Sequence, residues 1–148
     1  MAGCITTPPG CRNEGLAVII DSSALVAVIL QEPEEARFAE AILRHGAPRM
    51  SAASWMEAAT IIDSHKRPEG RIRFDEVITA FRIDIVPVTA EIAVRARRAY
   101  NQYGCGQHPA RLNYGDCLAY ATAAVTGQPL LFKGQNFAQT DIKPALSE

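Results

Sequence analysis

The sequence lacks the features that mark several common classes of protein. No apolar run approaches the roughly 20 residues that a transmembrane helix requires. The formal net charge is -1 over 148 residues, so no overall positive field indicates a nucleic-acid-binding protein. Binding of a nucleic acid would therefore have to come from a local basic patch.

Zinc and nucleotide-binding motifs are also missing. The four cysteines form no Cys-x-x-Cys pair and have no metal-like spacing to the three histidines. We therefore expect no zinc site, and reduced thiols in a cytoplasmic protein. The segment Gly104–Gly106 precedes a proline and opens no helix, so it does not form a Gly-rich phosphate loop.

Residues 16–30 are strongly apolar, but they do not have the pattern of a signal peptide. Asp21, Ser22 and Ser23 interrupt the apolar run, and no clear basic region precedes it. We therefore expect neither secretion nor attachment to a membrane.

The composition that is present is that of an ordinary globular domain. Apolar residues make up 48% of the chain and charged residues 21%. The length suits one domain with a substantial core. Residues 1–14 are rich in Pro, Gly and Thr and predict a flexible N-terminal tail, which leaves residues 15–148 as a single domain.

Short apolar segments alternate with helical patterns along this domain. Strands are predicted at residues 15–20, 48–52, 83–88 and 129–132, the first and third buried on both faces. Helices are predicted between them, with caps at Ser54, Thr89 and Asn113 and a stop at Gly127. This alternation predicts an α/β fold with a central parallel sheet flanked by helices.

Three acids fall where strand ends and helix starts meet at one edge of such a sheet. Asp21 ends the first strand, and Glu57 and Asp116 lie in first turns of predicted helices. Each also has a structural interpretation, because Asp21 is a possible cap, Ser54 and Glu57 match a capping box, and Asp116 suits the helix dipole. As a set, carboxylates repel one another unless a cation joins them, and such ligands favour Mg²⁺ or Mn²⁺.

Two further oxygen-bearing side chains follow the last predicted strand. Asn136 and Asp141 lie in the turn beyond residues 129–132, again on the carboxyl side of the sheet. They are additional candidates for the metal site, and the alternative is that both are turn formers.

Four segments resemble, in order, the motifs of PIN-domain ribonucleases, and most closely the VapC-type toxins of bacterial toxin–antitoxin pairs. The segments are VIIDSSALVAVILQEPE, SAASWMEAATII, LNYGDCLAYATA and GQPLLFKGQNFAQTDI. The resemblance implies a PIN-like three-layer sandwich and an endoribonuclease that hydrolyses RNA phosphodiester bonds with Mg²⁺, or with Mn²⁺ as a substitute. It also implies a homodimer and a cognate VapB-type antitoxin that blocks the acidic pocket.

The resemblance also assigns roles to the acids. Asp21, Glu57 and Asp116 become the catalytic residues, with Asp21 and Asp116 as direct metal ligands and Glu57 orienting a water or acting as base. The family usually has an aspartate where this chain has Asn136, which ligates more weakly, and Asp141 is a candidate to compensate.

Two alternative functions remain open from the sequence. One is a PIN-like protein that binds RNA or an antitoxin but has impaired catalysis, because Asn136 replaces an expected acid. The other is a phosphate-accepting α/β domain, in which Lys133 at a late strand end would partner a strand-end aspartate.

Overall fold

The structure, a computed structural model, describes residues 17–147. The predicted tail, residues 1–14, lies outside the described residues. In chain order the elements are β1 (Ala17–Ile20), α1 (Ser22–Ile29), α2 (Glu35–His45), β2 (Ala47–Ser51), α3 (Ala52–Ser64), α4 (Pro68–Ala80), β3 (Asp84–Val86), α5 (Ala90–Tyr103), α6 (Tyr114–Thr126), β4 (Leu130–Leu131) and a 3-10 turn (Phe137–Gln139).

The four strands form one parallel sheet in the order β3-β2-β1-β4. Ile19 of β1 is in register with Arg49 on one side and Leu130 on the other. Because every strand runs in the same direction, the residues that follow the strands meet at one edge of the sheet. The predicted central parallel sheet is confirmed.

Helices cover both faces of this sheet, and β1 shows the division most clearly. Val18 and Ile20 are fully buried against the core formed with α1 to α4. Ile19, between them, is fully buried against the core formed with α5 and α6. This two-residue alternation gives a three-layer arrangement with a continuous apolar strand in the middle. Within residues 17–147, no helix combines the length and apolarity needed to cross a membrane.

The prediction of a doubly buried strand at residues 83–88 is wrong. β3 is an edge strand, in which Asp84 and Ile85 are exposed and Val86 is half-buried. Its single partner in the described sheet is β2. An apolar run of this length looks the same at the edge and in the centre of a sheet, because the number of neighbouring strands is not encoded locally.

The predicted start of α3 is also wrong. Ser51, at the end of β2, is the N-cap, and its Oγ accepts a hydrogen bond of 3.0 Å from the Ser54 backbone N–H. The helix therefore begins directly after the strand, and Glu57 lies in its second turn. The capping box expected between Ser54 and Glu57 does not form, so the Glu57 carboxylate is available for other contacts.

The predicted start and end of α6 are confirmed. The Asn113 side chain accepts from the Asp116 backbone N–H at 2.9 Å, and the Asp116 side chain accepts from the Asn113 N–H at 3.0 Å. This reciprocal pair is a capping box. Gly127 ends the helix with a left-handed backbone, φ 66°. The predicted cap of α5 by Thr89 is confirmed as well.

We expect Ser51→Ala to lower the free energy of unfolding by about 1 kcal/mol, because the buried cap of α3 is lost. Chemical denaturation measures the change. Ser64→Ala, at the exposed C-terminal end of the same helix, is the control and should have a much smaller effect. Equal effects of the two substitutions would contradict the assignment of Ser51 as the cap.

Candidate active site

Asp21 lies directly between the end of β1 and the start of α1. It is 3% exposed. One carboxylate oxygen, Oδ2, accepts from the Ser23 backbone N–H at 3.0 Å and from the Ser23 hydroxyl at 2.5 Å. The Ser23 hydroxyl itself accepts from the Lys133 backbone N–H at 3.0 Å. The other oxygen, Oδ1, is buried with no hydrogen-bond partner among residues 17–147. The carboxylate is thus oriented through one oxygen while the other stays available to a ligand.

The electrostatics of Asp21 connect it to the other two predicted acids. Burial raises the pKa of Asp21 from 3.8 to about 6, although the two hydrogen bonds from Ser23 act in the opposite direction. The negative charges of Asp116 and Glu57 also raise this pKa. The fold therefore brings three carboxylates near enough to repel one another in a partly buried position.

Glu57 reaches from the second turn of α3 towards the starts of two other helices. Its Oε2 accepts a hydrogen bond of 2.8 Å from the Ser22 hydroxyl, at the start of α1. A Cβ atom added to Gly115, at the start of α6, would lie 2.8 Å from both Glu57 carboxylate oxygens. The absence of a side chain at Gly115 therefore leaves the room that the Glu57 carboxylate occupies.

Asp116 both caps α6 and belongs to this group of acids. Burial is the largest influence that raises its pKa, and the charge of Glu57 raises it further. The Asn113 backbone N–H and a side-chain hydrogen bond from Asn136 lower it. The structural and functional interpretations of Asp116 are therefore compatible, because the capping box fixes the side chain beside Glu57.

The two remaining predicted residues are placed differently from one another. Asn136 acts on Asp116, because its side-chain amide lowers the pKa of that carboxylate. Asp141 instead accepts a hydrogen bond of 2.5 Å from the Tyr120 hydroxyl. It also approaches Tyr103, whose pKa is raised by burial and then by the Asp141 charge. Asn136 thus joins the acids, whereas the contacts described for Asp141 join it to α5 and α6.

The oxygen donors at this edge of the sheet suit a divalent cation that keeps part of its water shell. Among the described residues, no three Asp, Glu, His or Cys side chains form a group that would hold a metal ion by themselves. Mg²⁺ does not need such a group, because it usually takes one or two carboxylates and fills its other positions with water and phosphate oxygens. Asp21, with its unbonded Oδ1, and Asp116, half-buried beside Glu57, fit that requirement.

The phosphate-accepting site suggested by the sequence is not assembled, and Cys117, next to Asp116 in the chain, does not supply a nucleophile. Lys133 directs its ammonium group to Glu32 and Glu34, so it does not partner Asp21 as a phosphate-accepting site would require. Cys117 is buried, and burial followed by the charge of Asp116 raises the pKa of its thiol to about 11. A thiol with that pKa is a poor nucleophile near neutral pH, so Cys117 is a packing residue.

Sequence reasoning missed the three small residues that position the acids. From the sequence, Ser22 and Ser23 are only polar interruptions of an apolar run, and Gly115 does not stand out. A signal for each was present, because two hydroxyls follow a strand-end acid directly and a glycine stands in the first turn of an otherwise apolar helix. Their partners, Glu57 and the Lys133 backbone, are distant in sequence and could not be inferred.

The architecture and the sequence together define the class of protein. The chain matches the PIN domain family over residues 18–143. It therefore belongs to the PIN domain proteins.

The relatives narrow this class further. The chain is 44% identical over 125 residues to Ribonuclease VapC30 of Mycobacterium tuberculosis. The aligned region covers 84% of this chain and 95% of that protein. It is 43% identical over 125 residues to Ribonuclease VapC of Mycolicibacterium smegmatis, covering 84% and 97%. The chain belongs to the VapC ribonucleases, the toxin family of toxin–antitoxin systems.

A solved structure supports the fold at low sequence identity. Mycobacterium tuberculosis VapC20, a toxin that cleaves the sarcin–ricin loop, superposes with a TM-score of 0.66 at 13% identity. The match covers 84% of this chain and 95% of that one. The family match and the relatives confirm the predicted family and ribonuclease activity, and the superposition confirms the fold, while the roles of individual site residues stay predictions.

We expect Gly115→Ala to reduce RNA cleavage by about 100-fold, because a displacement of Glu57 by 1 Å is enough to spoil the geometry of a catalytic group. The fold should not lose stability, since alanine is the better helix former. Cleavage assays and thermal melting measure the two effects. Gly70→Ala, in the first turn of α4, is the matched control, because its new methyl group would meet only the Ile62 side chain, at 3.2 Å. Normal cleavage by Gly115→Ala would contradict the placement of Glu57.

We expect the stability of the metal-free protein to fall as the pH rises through the interval between 3.8 and about 6. The folded state favours protonated Asp21, so its ionisation is penalised only in the fold. At pH 7, Asp21→Asn should be more stable than the wild type by roughly 2–3 kcal/mol, and the difference should vanish below about pH 4. Denaturation in EDTA at both pH values measures this, with Asp75→Asn on the exposed face of α4 as control. If the stabilities of wild type and Asp21→Asn changed in parallel with pH, the raised pKa of Asp21 would not be the cause of the pH dependence.

Proposed function

We propose that the chain is a Mg²⁺-dependent endoribonuclease toxin whose site is formed by Asp21, Glu57 and Asp116. The observation that carries this proposal is the buried Asp21 carboxylate. Its Oδ1 has no hydrogen-bond partner within the described chain, and its pKa is raised by burial and by the two other acids. A divalent cation both reduces the repulsion between the three acids and supplies a partner for Oδ1.

Each acid has a distinct task in this proposal. Asp21 and Asp116 hold the cation, with Mn²⁺ as a possible substitute for Mg²⁺. When bound, the cation supplies Lewis-acid polarisation of the scissile phosphate and favours deprotonation of the attacking water. Glu57, held by Ser22, orients that water or accepts its proton. The capping box with Asn113 keeps the Asp116 carboxylate in place.

RNA is the proposed substrate, and the cytoplasm is the proposed location. VapC30 is a ribonuclease, and VapC20 cleaves the sarcin–ricin loop. A site of this kind needs no covalent intermediate with the protein, because the acids act on water and do not themselves attack the RNA. The described cysteines, Cys105 and Cys117, are both free thiols, which is consistent with a reducing compartment.

A cognate VapB-type antitoxin is the proposed protein partner. A related structure is a toxin–antitoxin complex from Klebsiella pneumoniae, which covers 84% of this chain and 92% of that one, with a TM-score of 0.64 and 17% identity. In this chain, the group of three acids is suited to a cationic side chain from such a partner, because a positive charge would offset the repulsion between Asp21, Glu57 and Asp116.

We also propose a homodimer, for which α5 and the start of α6 supply an apolar surface. A groove between these elements is lined by residues that include Val88, Tyr100, Tyr114 and Leu118. Tyr114 is 82% exposed and Tyr100 43%, which is high for aromatic side chains in one neighbourhood. A contiguous exposed apolar patch of this type is typical of a protein–protein interface.

We expect Asp116→Asn to reduce cleavage of RNA in Mg²⁺ by at least about 100-fold, since the charge that holds the cation is lost. The asparagine oxygen can still accept from the Asn113 N–H, so the capping box and the fold should persist. Glu91→Gln, an exposed first-turn acid of α5, is the matched control. Wild-type cleavage by Asp116→Asn, or equal cleavage in EDTA and in Mg²⁺, would refute the proposed mechanism.

Asn136→Asp separates this function from the alternative of impaired catalysis. A competent wild-type site predicts cleavage with Asn136 present, and the substitution should at most change the Mg²⁺ concentration that is required. Cleavage that occurs only in Asn136→Asp would instead favour a wild-type protein that binds RNA or antitoxin without cutting. Cleavage at a series of Mg²⁺ concentrations, measured in both proteins, decides between the two outcomes.

A further inference from the structure

β4 consists of two residues, Leu130–Leu131, and depends on its neighbours for its position. On one side it pairs with β1, where the Asp21 backbone N–H donates to the Leu131 carbonyl at 2.9 Å. The chain that follows β4 therefore enters the acidic edge of the sheet beside Asp21. Because a strand this short has few hydrogen bonds of its own, the contacts on its other side also determine where it lies.

The other side of β4 is covered by residues 141–145, which we call the 141–145 segment. The Leu130 N–H donates to the Lys143 carbonyl at 2.9 Å, and the Ala145 N–H donates to the Leu130 carbonyl at 2.8 Å. These bonds make a parallel bridge between Leu130 and Pro144, outside the named strands. β4 is thus hydrogen-bonded on both of its edges, to β1 and to this segment.

The start of the 141–145 segment is attached to α6. Asp141 accepts a hydrogen bond of 2.5 Å from the Tyr120 hydroxyl, and Tyr120 is 1% exposed. The same hydroxyl accepts from Arg95 Nη2 at 2.9 Å, and the Arg95 guanidinium carbon lies 4.9 Å from the centre of the Tyr120 ring. The segment therefore has one attachment to a buried residue of α6 and one to β4.

Beyond β4, the hydrogen-bond ladder of the sheet changes its partner at the active site. In a continued parallel pair, the Lys133 N–H would donate to the Asp21 carbonyl. That carbonyl instead accepts from two N–H groups of α1, those of Ala24 and Leu25, at 3.2 and 3.3 Å. The Lys133 N–H donates to the Ser23 hydroxyl at 3.0 Å, and this hydroxyl donates to Asp21 Oδ2 at 2.5 Å. The position of β4 beside β1 therefore decides whether this N–H reaches Ser23.

We propose that the 141–145 segment is a positioning element of the metal site. It holds β4 from the outer edge, so that the Lys133 N–H stays on Ser23 and Ser23 keeps Asp21 Oδ2 occupied, which leaves Oδ1 for the cation. Asp141 then anchors the segment through Tyr120 and is removed from the set of possible metal ligands. The inference deepens the proposed metal-dependent function and rests on it.

The first test is Ala145→Pro, which removes the N–H that donates to the Leu130 carbonyl. We expect the affinity for Mn²⁺, measured by calorimetry on the protein alone, to fall by about 10-fold, the lower end of the scale for losing an outer partner of a metal ligand. Lys143→Pro is the matched control, because it places proline in the same segment and keeps the carbonyl that accepts from Leu130. The N–H that it removes has no hydrogen-bond partner among the described contacts. Equal Mn²⁺ affinities in wild type and Ala145→Pro would overturn the proposal.

Two further measurements separate positioning from a general loss of structure. Hydrogen exchange at the Lys133 amide should accelerate in Ala145→Pro and not in Lys143→Pro, because the bond to Ser23 opens more often. The Mg²⁺ concentration for half-maximal cleavage should rise as the Mn²⁺ affinity falls, while the rate at saturating Mg²⁺ changes little. Unchanged exchange at Lys133, or a loss of cleavage rate that saturating Mg²⁺ does not restore, would contradict the positioning role.

Tyr120→Phe tests the other attachment of the segment without altering the backbone, because it removes the hydroxyl that donates to Asp141 and keeps the ring. Mn²⁺ affinity should fall more than in Thr122→Val. That control also removes a buried hydroxyl from α6, one that donates only to the Leu118 carbonyl among the described contacts. Equal affinities in the two variants would overturn the anchoring of the segment by Asp141.

A double-mutant cycle tests the route through Ser23. If the 141–145 segment acts through this residue, Ala145→Pro should have little further effect on Mn²⁺ affinity in a Ser23→Ala background. Independent, multiplying losses of affinity would show that the segment acts elsewhere and would overturn the proposed route.

The outcomes distinguish this inference from the function on which it rests. A wild-type protein that neither binds Mn²⁺ nor cleaves RNA would overturn the proposed function and the role of the segment together. A wild-type protein that binds Mn²⁺ normally, with Ala145→Pro behaving like Lys143→Pro, would overturn the positioning role alone.

Discussion

The burial of one carboxylate is the constraint to which the rest of the site responds. β1 is covered on both faces, and the chain leaves it at Asp21 without leaving the protein interior. A charged group in that position is costly unless it is bonded or paired. Ser23 satisfies one oxygen from within the same turn, and the Lys133 backbone holds Ser23 from the neighbouring strand end. The remaining oxygen has no such partner in the described chain, and this is why we propose it as a ligand of the cation.

The N-terminal ends of three helices stabilise the negative charge of the acids at this edge of the sheet. α1, α3 and α6 each begin there, and helix N-termini present unpaired N–H groups and a partial positive charge. Asp21 and Asp116 use those N–H groups as caps, so the residues proposed to bind metal also stabilise the helices that carry them. Capping and metal binding do not compete, because a carboxylate has two oxygens and each cap occupies one.

The elements that could be predicted from the sequence are those determined by neighbouring residues. The caps at Thr89 and Asn113 and the stop at Gly127 depend on a few adjacent residues, and all three are confirmed. The cap of α3 was misplaced, because Ser51 and Ser54 offer the same chemistry and only the end of β2 decides between them. The contact of Asp141 with Tyr120 was not predictable, because packing in the core formed with α5 and α6 brings the two residues together. Contacts between elements that are distant in the chain leave no periodic trace in the sequence.

One of the peptide groups that support the site comes from a distant part of the chain. The donor to Ser23 is the N–H of Lys133, so the identity of the residue at that position has no direct bearing on the bond. Over evolutionary time the Lys133 side chain is thus able to change with its surface surroundings, and its present pairing with Glu32 can be gained or lost, while the support of Asp21 persists. Proline lacks the N–H, so it is the replacement at this position that would directly remove the bond to Ser23.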